Sequence, residues 1–325
     1  MIEVSHLTKR YGDFTAVDDL SFTIGEGQVY GFLGPNGAGK STTMNIMTGC
    51  LSPSGGTVKI GGFDILEQPE AAKRLIGYLP EQPPLYMNET PVEYLRFVGE
   101  AKGLRGAALR AQIEKAVEST RLESVRNNLI GTLSKGYRQR VGIAQALLGE
   151  PSVIILDEPT VGLDPLQIIE IRNLIRELGR EHTVILSSHI LSEVQTVCEK
   201  VLIISKGKLV AFDTPENLEK LLGAQTAVFH VRASKETAAE ILRGVSGVAD
   251  WTAEIDGDAL SVQAQLSDGE SAESVCGALT LAFAAKGLPV LEMQRRRANL
   301  EDVFLELTET DAAPEKPDGE KEEAK

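Results

Sequence analysis

"VYGFLGPNGAGKSTTMNIMTG", residues 29–49, decides the fold class. A short apolar run, "VYGFL", reads as a buried strand, and "STTMNIMTG" is compatible with a helix. Between them "GPNGAGKS" (34–41) fits G-x-x-x-x-G-K-[ST]. In that setting Gly34, Pro35, Asn36, Gly37, Ala38 and Gly39 form a turn whose backbone N–H groups curl around phosphate oxygens. The helix that follows points its positive end at the same anion. Lys40 is placed to reach β- and γ-phosphates, the Ser41 hydroxyl to ligate Mg²⁺, and Thr42 to extend the cradle. An incidental lysine in a Gly-rich turn would give the same letters; the flanking strand and helix favour the phosphate loop.

Outward from this loop, "SVIIL" (152–156), "TVILSS" (183–188) and "VLIIS" (201–205) are further short β-branched runs. Three of the four runs have amphipathic segments between them, which predicts buried parallel strands in an α/β sheet. "IEVSHLT" and "AVDDLSFTI" alternate polar and apolar residues and are expected to pair antiparallel, as are "VLIIS" and "KLVAF". After "DTPENLEKLLGAQ" (213–225) the rhythm changes. "TAVFHVRA", "SKETAAEILRGV", "DWTAEI", "ALSVQAQL", "ESAESVCGALTLAFAAKG" and "PVLEMQRRR" read as βαββαβ, a small ferredoxin-like unit. Asp256-Gly257 marks the hairpin between its middle strands. The domains expected are therefore 1–222, an α/β nucleotide-binding unit, and 223–309, an α+β accessory unit in which "LEDVFLELTE" (300–309) packs back. Residues 310–325 form an acidic tail without aromatic or large aliphatic residues, expected to be disordered.

The 325 residues carry 42% hydrophobic and 25% charged side chains, enough for sizeable cores. A net charge of −14 argues against a general nucleic-acid binder, which would show a basic footprint. Three cysteines, Cys50, Cys198 and Cys276, lack any short-range spacing, so no disulfide framework or zinc site is read, and a reducing cytosol is expected. The start, "MIEVSHLTKRYG", has no signal-peptide apolar core, and "VCGALTLAFAA" falls short of the ~20 residues that span a bilayer. The chain is expected to be soluble.

"SVIILDEP" (152–159) ends a strand in two carboxylates. Alone, such a pair could be a helix cap or a solvated turn. Beside a phosphate loop, Asp157 lies where open α/β sheets bind ligands and can hold Mg²⁺ through water. Glu158 can orient or deprotonate an attacking water.

Taken together, "GPNGAGKST", "LSKGYRQR" (133–140), "VIILDEPTVGLDP" and "SSHILSEV" resemble, in order and spacing, the ATP-binding subunit of an ATP-binding-cassette (ABC) transporter over about residues 1–220. The resemblance implies a P-loop cassette with a mixed sheet, an antiparallel β-subdomain and a helical subdomain. It implies ATP and Mg²⁺ as cofactors and ATP hydrolysis as the activity. Tyr11 in "KRYG" resembles the aromatic that stacks on adenine. Gln82 in "YLPEQPPLY" resembles the glutamine that contacts Mg²⁺ or the attacking water and senses the membrane partner. Asp164 in "VGLDP" resembles the aspartate that crosses the dimer interface, an N-cap being the plainer alternative. His189 resembles the switch histidine that contacts γ-phosphate and fixes the catalytic glutamate.

"LSKGYRQR" resembles the signature, most often Leu-Ser-Gly-Gly-Gln, that opens a helix and binds the γ-phosphate held by the opposite protomer. Ser134 and the Gly136 backbone keep that chemistry. Lys135 and Tyr137 depart from it, and Lys135 either adds a cation near the phosphates or is solvated. The implied partners are a second copy, an ATP-sandwich homodimer, and a separate integral-membrane permease contacted near Gln82 and "MNETPVEYLRF". "GYRQR" with the C-terminal extension is similar to the ABC-2 exporter type, which places the chain at the cytoplasmic face of the membrane. The rival class is a non-transport ABC ATPase of translation or DNA repair; one cassette, no inserted coiled coil and an acidic balance weigh against it.

Overall fold

The computed structural model describes residues 1–221, 225–257, 259–267, 271–297, 301 and 304. The expectations for 305–325, and for most of "LEDVFLELTE", lie outside them. The chain divides into two compact units, Met1–Pro215 and Glu216–Lys325, a division slightly upstream of the boundary expected at 222.

The first unit begins with β1 (Ile2–Tyr11) and β2 (Phe14–Ile24), a hairpin in which Tyr11 faces Phe14 in register. β3 (Val29–Leu33) leads through the phosphate loop into α1 (Lys40–Met47). Then come β4 (Gly55–Ile60), β5 (Phe63–Asp64), α2 (Pro69–Arg74) and β6 (Ile76–Leu79). A helical subdomain follows: α3 (Pro91–Ala101), α4 (Gly106–Ser119) and α5 (Lys135–Leu147). The chain returns through β7 (Val153–Leu156), α6 (Pro165–Leu178), β8 (Thr183–Ser188), α7 (Leu191–Val197), β9 (Lys200–Ser205) and β10 (Lys208–Asp213).

Two sheets form, β2-β1-β4-β5, all antiparallel, and β10-β9-β3-β8-β7-β6. In the second, β9, β3, β8, β7 and β6 run parallel and β10 turns back antiparallel. The four runs read as parallel strands are all there. β6, "IGYL", joins them unforeseen, because its glycine dilutes the β-branched signal. Every residue of β3, β7 and β8 is buried, the continuous apolar reading of a strand covered on both faces. Fully buried Ile154 and Ile155 each contribute about 1.5–3 kcal/mol, and they fix the strand whose end delivers Asp157 and Glu158. The helical subdomain has its own core, centred on Leu95, Val117, Ile130, Val141 and Ala144.

Linked through α8 (Pro215–Leu221), the second unit runs β11 (Gln225–Val231), α9 (Lys235–Gly244), β12 (Val248–Asp256), β13 (Ala259–Leu266), α10 (Ala272–Ala285) and β14 (Val290–Arg297). Its antiparallel sheet has the order β12-β13-β11-β14, the ferredoxin-like arrangement of a βαββαβ chain. Along β11, Ala227, Phe229 and Val231 are buried while Thr226, Val228 and His230 are half-buried, the two-residue period of a sheet covered on one face. Phe229 meets Phe283 of α10 edge-on at 5.5 Å between ring centroids.

Candidate active site

The phosphate loop joins β3 to α1 at the C-terminal ends of the parallel strands, where open α/β sheets take their ligands. Two of its glycines are required by geometry. A Cβ on Gly34 would come within 2.2 Å of the Ile204 carbonyl oxygen. Gly39 sits at φ 104°, with Ala16 O 2.5 Å from where a Cβ would be. Gly39 is also the N-cap of α1 and supplies no side-chain bond, so the first amides of that helix carry no internal side-chain cap. Lys40 is buried and donates to the carbonyls of Gly34 at 2.7 Å and Pro35 at 3.2 Å. Burial lowers its pKa below the ordinary 10.5, with Glu158 and Asp157 pulling the other way.

Asp157 and Glu158 leave the end of β7 into a braced cluster. Asp157, 3% exposed, accepts from Ser187 Oγ at 2.6 Å and from Ser41 Oγ at 3.3 Å. Glu158 has φ 49°, the left-handed region a non-glycine rarely occupies, at a cost of about 1–3 kcal/mol. Its N–H is held by Ser187 Oγ at 2.8 Å, and its carbonyl accepts from Val161 N. The carboxylate, 11% exposed, accepts from His189 Nδ1 at 2.9 Å. An ionised carboxylate only accepts, so Nδ1 carries the hydrogen and Nε2 stays free for another partner. The observed geometry therefore joins Ser41, Asp157, Glu158 and His189, four residues brought from two strand ends and a helix start.

A cavity of about 410 Å³ opens over this cluster. Asn36, Gly37, Ala38, Gly39, Lys40, Ser41 and Thr42 line it together with Glu158 and His189, while Tyr11 and Phe14 form one wall. Tyr11 is 49% exposed and Lys9 Nζ lies 5.2 Å from its ring centroid. Phe14, its hairpin partner, was missed in the sequence; the "RYGDF" turn was the available signal. Gln82 does not line this cavity. It is exposed, and Glu81 stands at the cavity wall instead. In a non-helical segment successive side chains point apart, so one residue of shift turns Gln82 away.

Ser134, Lys135, Gly136 and Asp164 also lie outside the cavity lining. Ser134 is the N-cap of α5, its Oγ accepting from Tyr137 N at a long 3.4 Å. Gln167 Nε2 reaches the same Oγ at 3.5 Å. The Lys135 side chain, exposed overall, lays its ammonium over Gly162, where a Cβ would come within 2.2 Å of Nζ. Asp164 caps α6 by accepting from Gln167 N at 2.9 Å. The helix-cap alternative for Asp164 is thus realised in this structure. Tyr137 turns inward, with the Arg140 guanidinium 5.8 Å from its ring.

A glycine-turned phosphate loop after β3, an Asp-Glu pair at the end of β7 with β8 between the two strands, and a helical subdomain define a P-loop nucleotide-binding cassette. The family model for ABC transporters matches residues 17–161. The uncharacterized ABC transporter ATP-binding protein YhcH of Bacillus subtilis (strain 168) is 37% identical, across 95% of this chain and 96% of its own length. The bacitracin transport ATP-binding protein BcrA of Enterococcus faecalis is 34% identical, across 94% and 96%. Among solved structures, the ATP-binding cassette MJ0796, dimeric and bound to ADP and Pi after hydrolysis, superposes with a TM-score of 0.59 at 27% identity. That match covers 66% of this chain and 98% of that one. The chain belongs to the ATP-binding subunits of ABC transporters.

Proposed function

We propose that this chain binds and hydrolyses Mg-ATP, closes as a homodimer on two nucleotides, and drives a separate membrane permease in export. The observation that carries the reading is the Glu158–His189 pair at the mouth of a phosphate loop, with Asp157 and Ser41 beside it. Tyr11 stacks on adenine with Phe14 next to it, and the loop amides of residues 34–42 cradle the phosphates. Ser41 and Asp157 place a hydroxyl and a carboxylate oxygen 3.3 Å apart, hard donors suited to Mg²⁺. Phosphate and water would supply the remaining ligands. When bound, that ion neutralises phosphate charge. Glu158 orients the attacking water and takes up its proton; His189, hydrogen-bonded to Glu158 through Nδ1–H, fixes the carboxylate and, when Nε2 also carries a hydrogen, donates it to the γ-phosphate.

No helix among the described residues is long and apolar enough to cross a membrane. Family membership supports a separate permease as the spanning part, with this subunit at the cytoplasmic face of the membrane. The surface that fits it is an aromatic patch after β6. Tyr86, Met87 and Phe97 are all about half exposed, and Tyr86 stacks against Phe97 with centroids 5.3 Å apart. The Nod factor export ATP-binding protein I of Burkholderia lata, 33% identical across 94% of this chain, supports an exporter. The second unit is read as a dimerisation or regulatory module. Purified protein is expected to release phosphate from Mg-ATP, and Glu158→Gln to lower turnover about 10²–10⁴-fold while retaining nucleotide. Wild-type-like turnover by that variant would contradict the assignment.

A further inference from the structure

Glu193, on α7, is a buried carboxylate that the catalytic reading above does not use. It is 3% exposed. One oxygen, Oε2, accepts from Thr160 Oγ1 at 2.6 Å and from Ser188 Oγ at 3.0 Å. Both donors are themselves buried, at 3% and 0% exposure. Thr160 lies two residues beyond Glu158 in the loop that runs on to Asp164, and Ser188 immediately precedes His189. A single carboxylate oxygen therefore ties the loop carrying Glu158 to the strand end carrying His189, from behind.

The other oxygen, Oε1, faces Arg172 of α6, whose terminal nitrogen is 3.6 Å away. That is ion-pair range but too long for a good hydrogen bond. Among the described residues neither Oε1 nor Arg172 Nε has a hydrogen-bond partner, although both atoms are buried. Groups left this way in a low-dielectric interior are costly, and a small movement of α6 would let them close. The same helix is capped by Asp164, reaches Ser134 through Gln167, and holds α5 through the Arg140–Glu170 pair at 2.6 Å. The structure thus places one buried acid between the residues that act on this copy's nucleotide and α6, which in turn packs on α5, the helix bearing those assigned to the other copy's.

We propose that Glu193 is a positioning residue that locks Glu158 to His189 through Thr160 and Ser188, and couples that lock to α6 through an Arg172 pair that closes when the cassette closes. The inference rests on the ATPase reading of the site. Glu193→Gln keeps the shape and one acceptor oxygen but turns an amide donor toward Arg172. Its kcat for Mg-ATP is expected to fall about 10–100-fold, the cost of a misaligned catalytic pair, with KM nearly unchanged. Thr160→Val, which replaces the hydroxyl with a methyl, should show the same split between kcat and KM together with a lowered thermal midpoint, since a buried carboxylate loses a donor, and Thr160→Ser should restore turnover. Should Glu193→Gln fold poorly, the Thr160 pair carries the test alone.

If Thr160→Val matches wild type in turnover, if KM rises as kcat falls in both variants, or if Thr160→Ser fails to restore turnover, Glu193 is merely structural and the proposal is overturned. Wild-type protein measured alongside separates the two levels. Its own failure to turn over Mg-ATP would remove the ATPase reading and this inference together, whereas failure in the variants alone concerns only the inference.

Discussion

Two helices of the first unit, α1 and α5, begin in ways that look alike in sequence and differ in structure. α1 starts after Gly39, whose left-handed backbone leaves the leading amides without a side-chain cap. It starts inside a cavity, with Lys40, Ser41, Asp157 and Glu158 converging on it. α5 starts after Ser134, which caps its own helix through a long bond, and it lies outside that cavity. The first helix start opens among charged side chains of its own chain. The second, proposed to bind phosphate, has none of its own chain's proposed catalytic cluster around it. A helix N-terminus by itself supplies only part of an anion site, and in the proposed sandwich the remainder for α5 comes from another copy.

The sharpest way to break this comparison is Ser134→Arg. If α5 serves only a partner's nucleotide, steady-state turnover should drop about 10²–10³-fold, as for loss of a transition-state donor, while ATP binding by the isolated copy is unchanged. Loss of binding by the isolated copy, measured by equilibrium dialysis, would put Ser134 in its own chain's site. Next in size is Tyr11→Ala, expected to weaken ATP affinity roughly tenfold, since stacking on a base is worth about 1–3 kcal/mol. Phe14→Ala should weaken it less, and neither should alter kcat at saturating ATP.

A smaller effect separates neighbours. Glu81→Ala should lower turnover a few-fold, because Glu81 stands at the cavity wall, whereas Gln82→Ala should leave ATPase rates unchanged. A reversal would restore the role assigned to Gln82 by resemblance. The mildest test is pH. Burial holds the Lys40 pKa below 10.5, and bound phosphate favours the charged form. ATP affinity should then be complete at neutral pH and decline as pH rises through the free-site value. The decline should start at lower pH than an ordinary lysine would give; calorimetric titration across the alkaline range reads it.

Much of this was legible in the residues. Local signals carried far: β-branched runs gave the parallel strands, and Asp256-Gly257 gave the hairpin between β12 and β13. The phosphate loop, Asp157, Glu158 and His189 came together as expected, because strand ends of one parallel sheet share an edge. What stayed hidden depends on side-chain direction or on distance in sequence. Glu81 and Gln82 differ only in which way a short non-helical segment turns them. Phe14 gains meaning only once the hairpin register sets it across from Tyr11. Ser187 reads as plain strand, and its bracing of Asp157 and Glu158 appears only when β7 and β8 lie side by side. Glu193 looks like one more acid on an amphipathic helix until α7 folds it under Thr160.

In the proposed sandwich, α1 of one copy and α5 of another complete a shared nucleotide site. Sedimentation of Glu158→Gln with and without Mg-ATP, beside Glu158→Gln carrying Ser134→Arg, reads this out. Mg-ATP should convert Glu158→Gln from monomer to dimer, and Ser134→Arg should abolish the conversion. An ATP-driven dimer that forms equally well with Ser134→Arg would contradict the shared site.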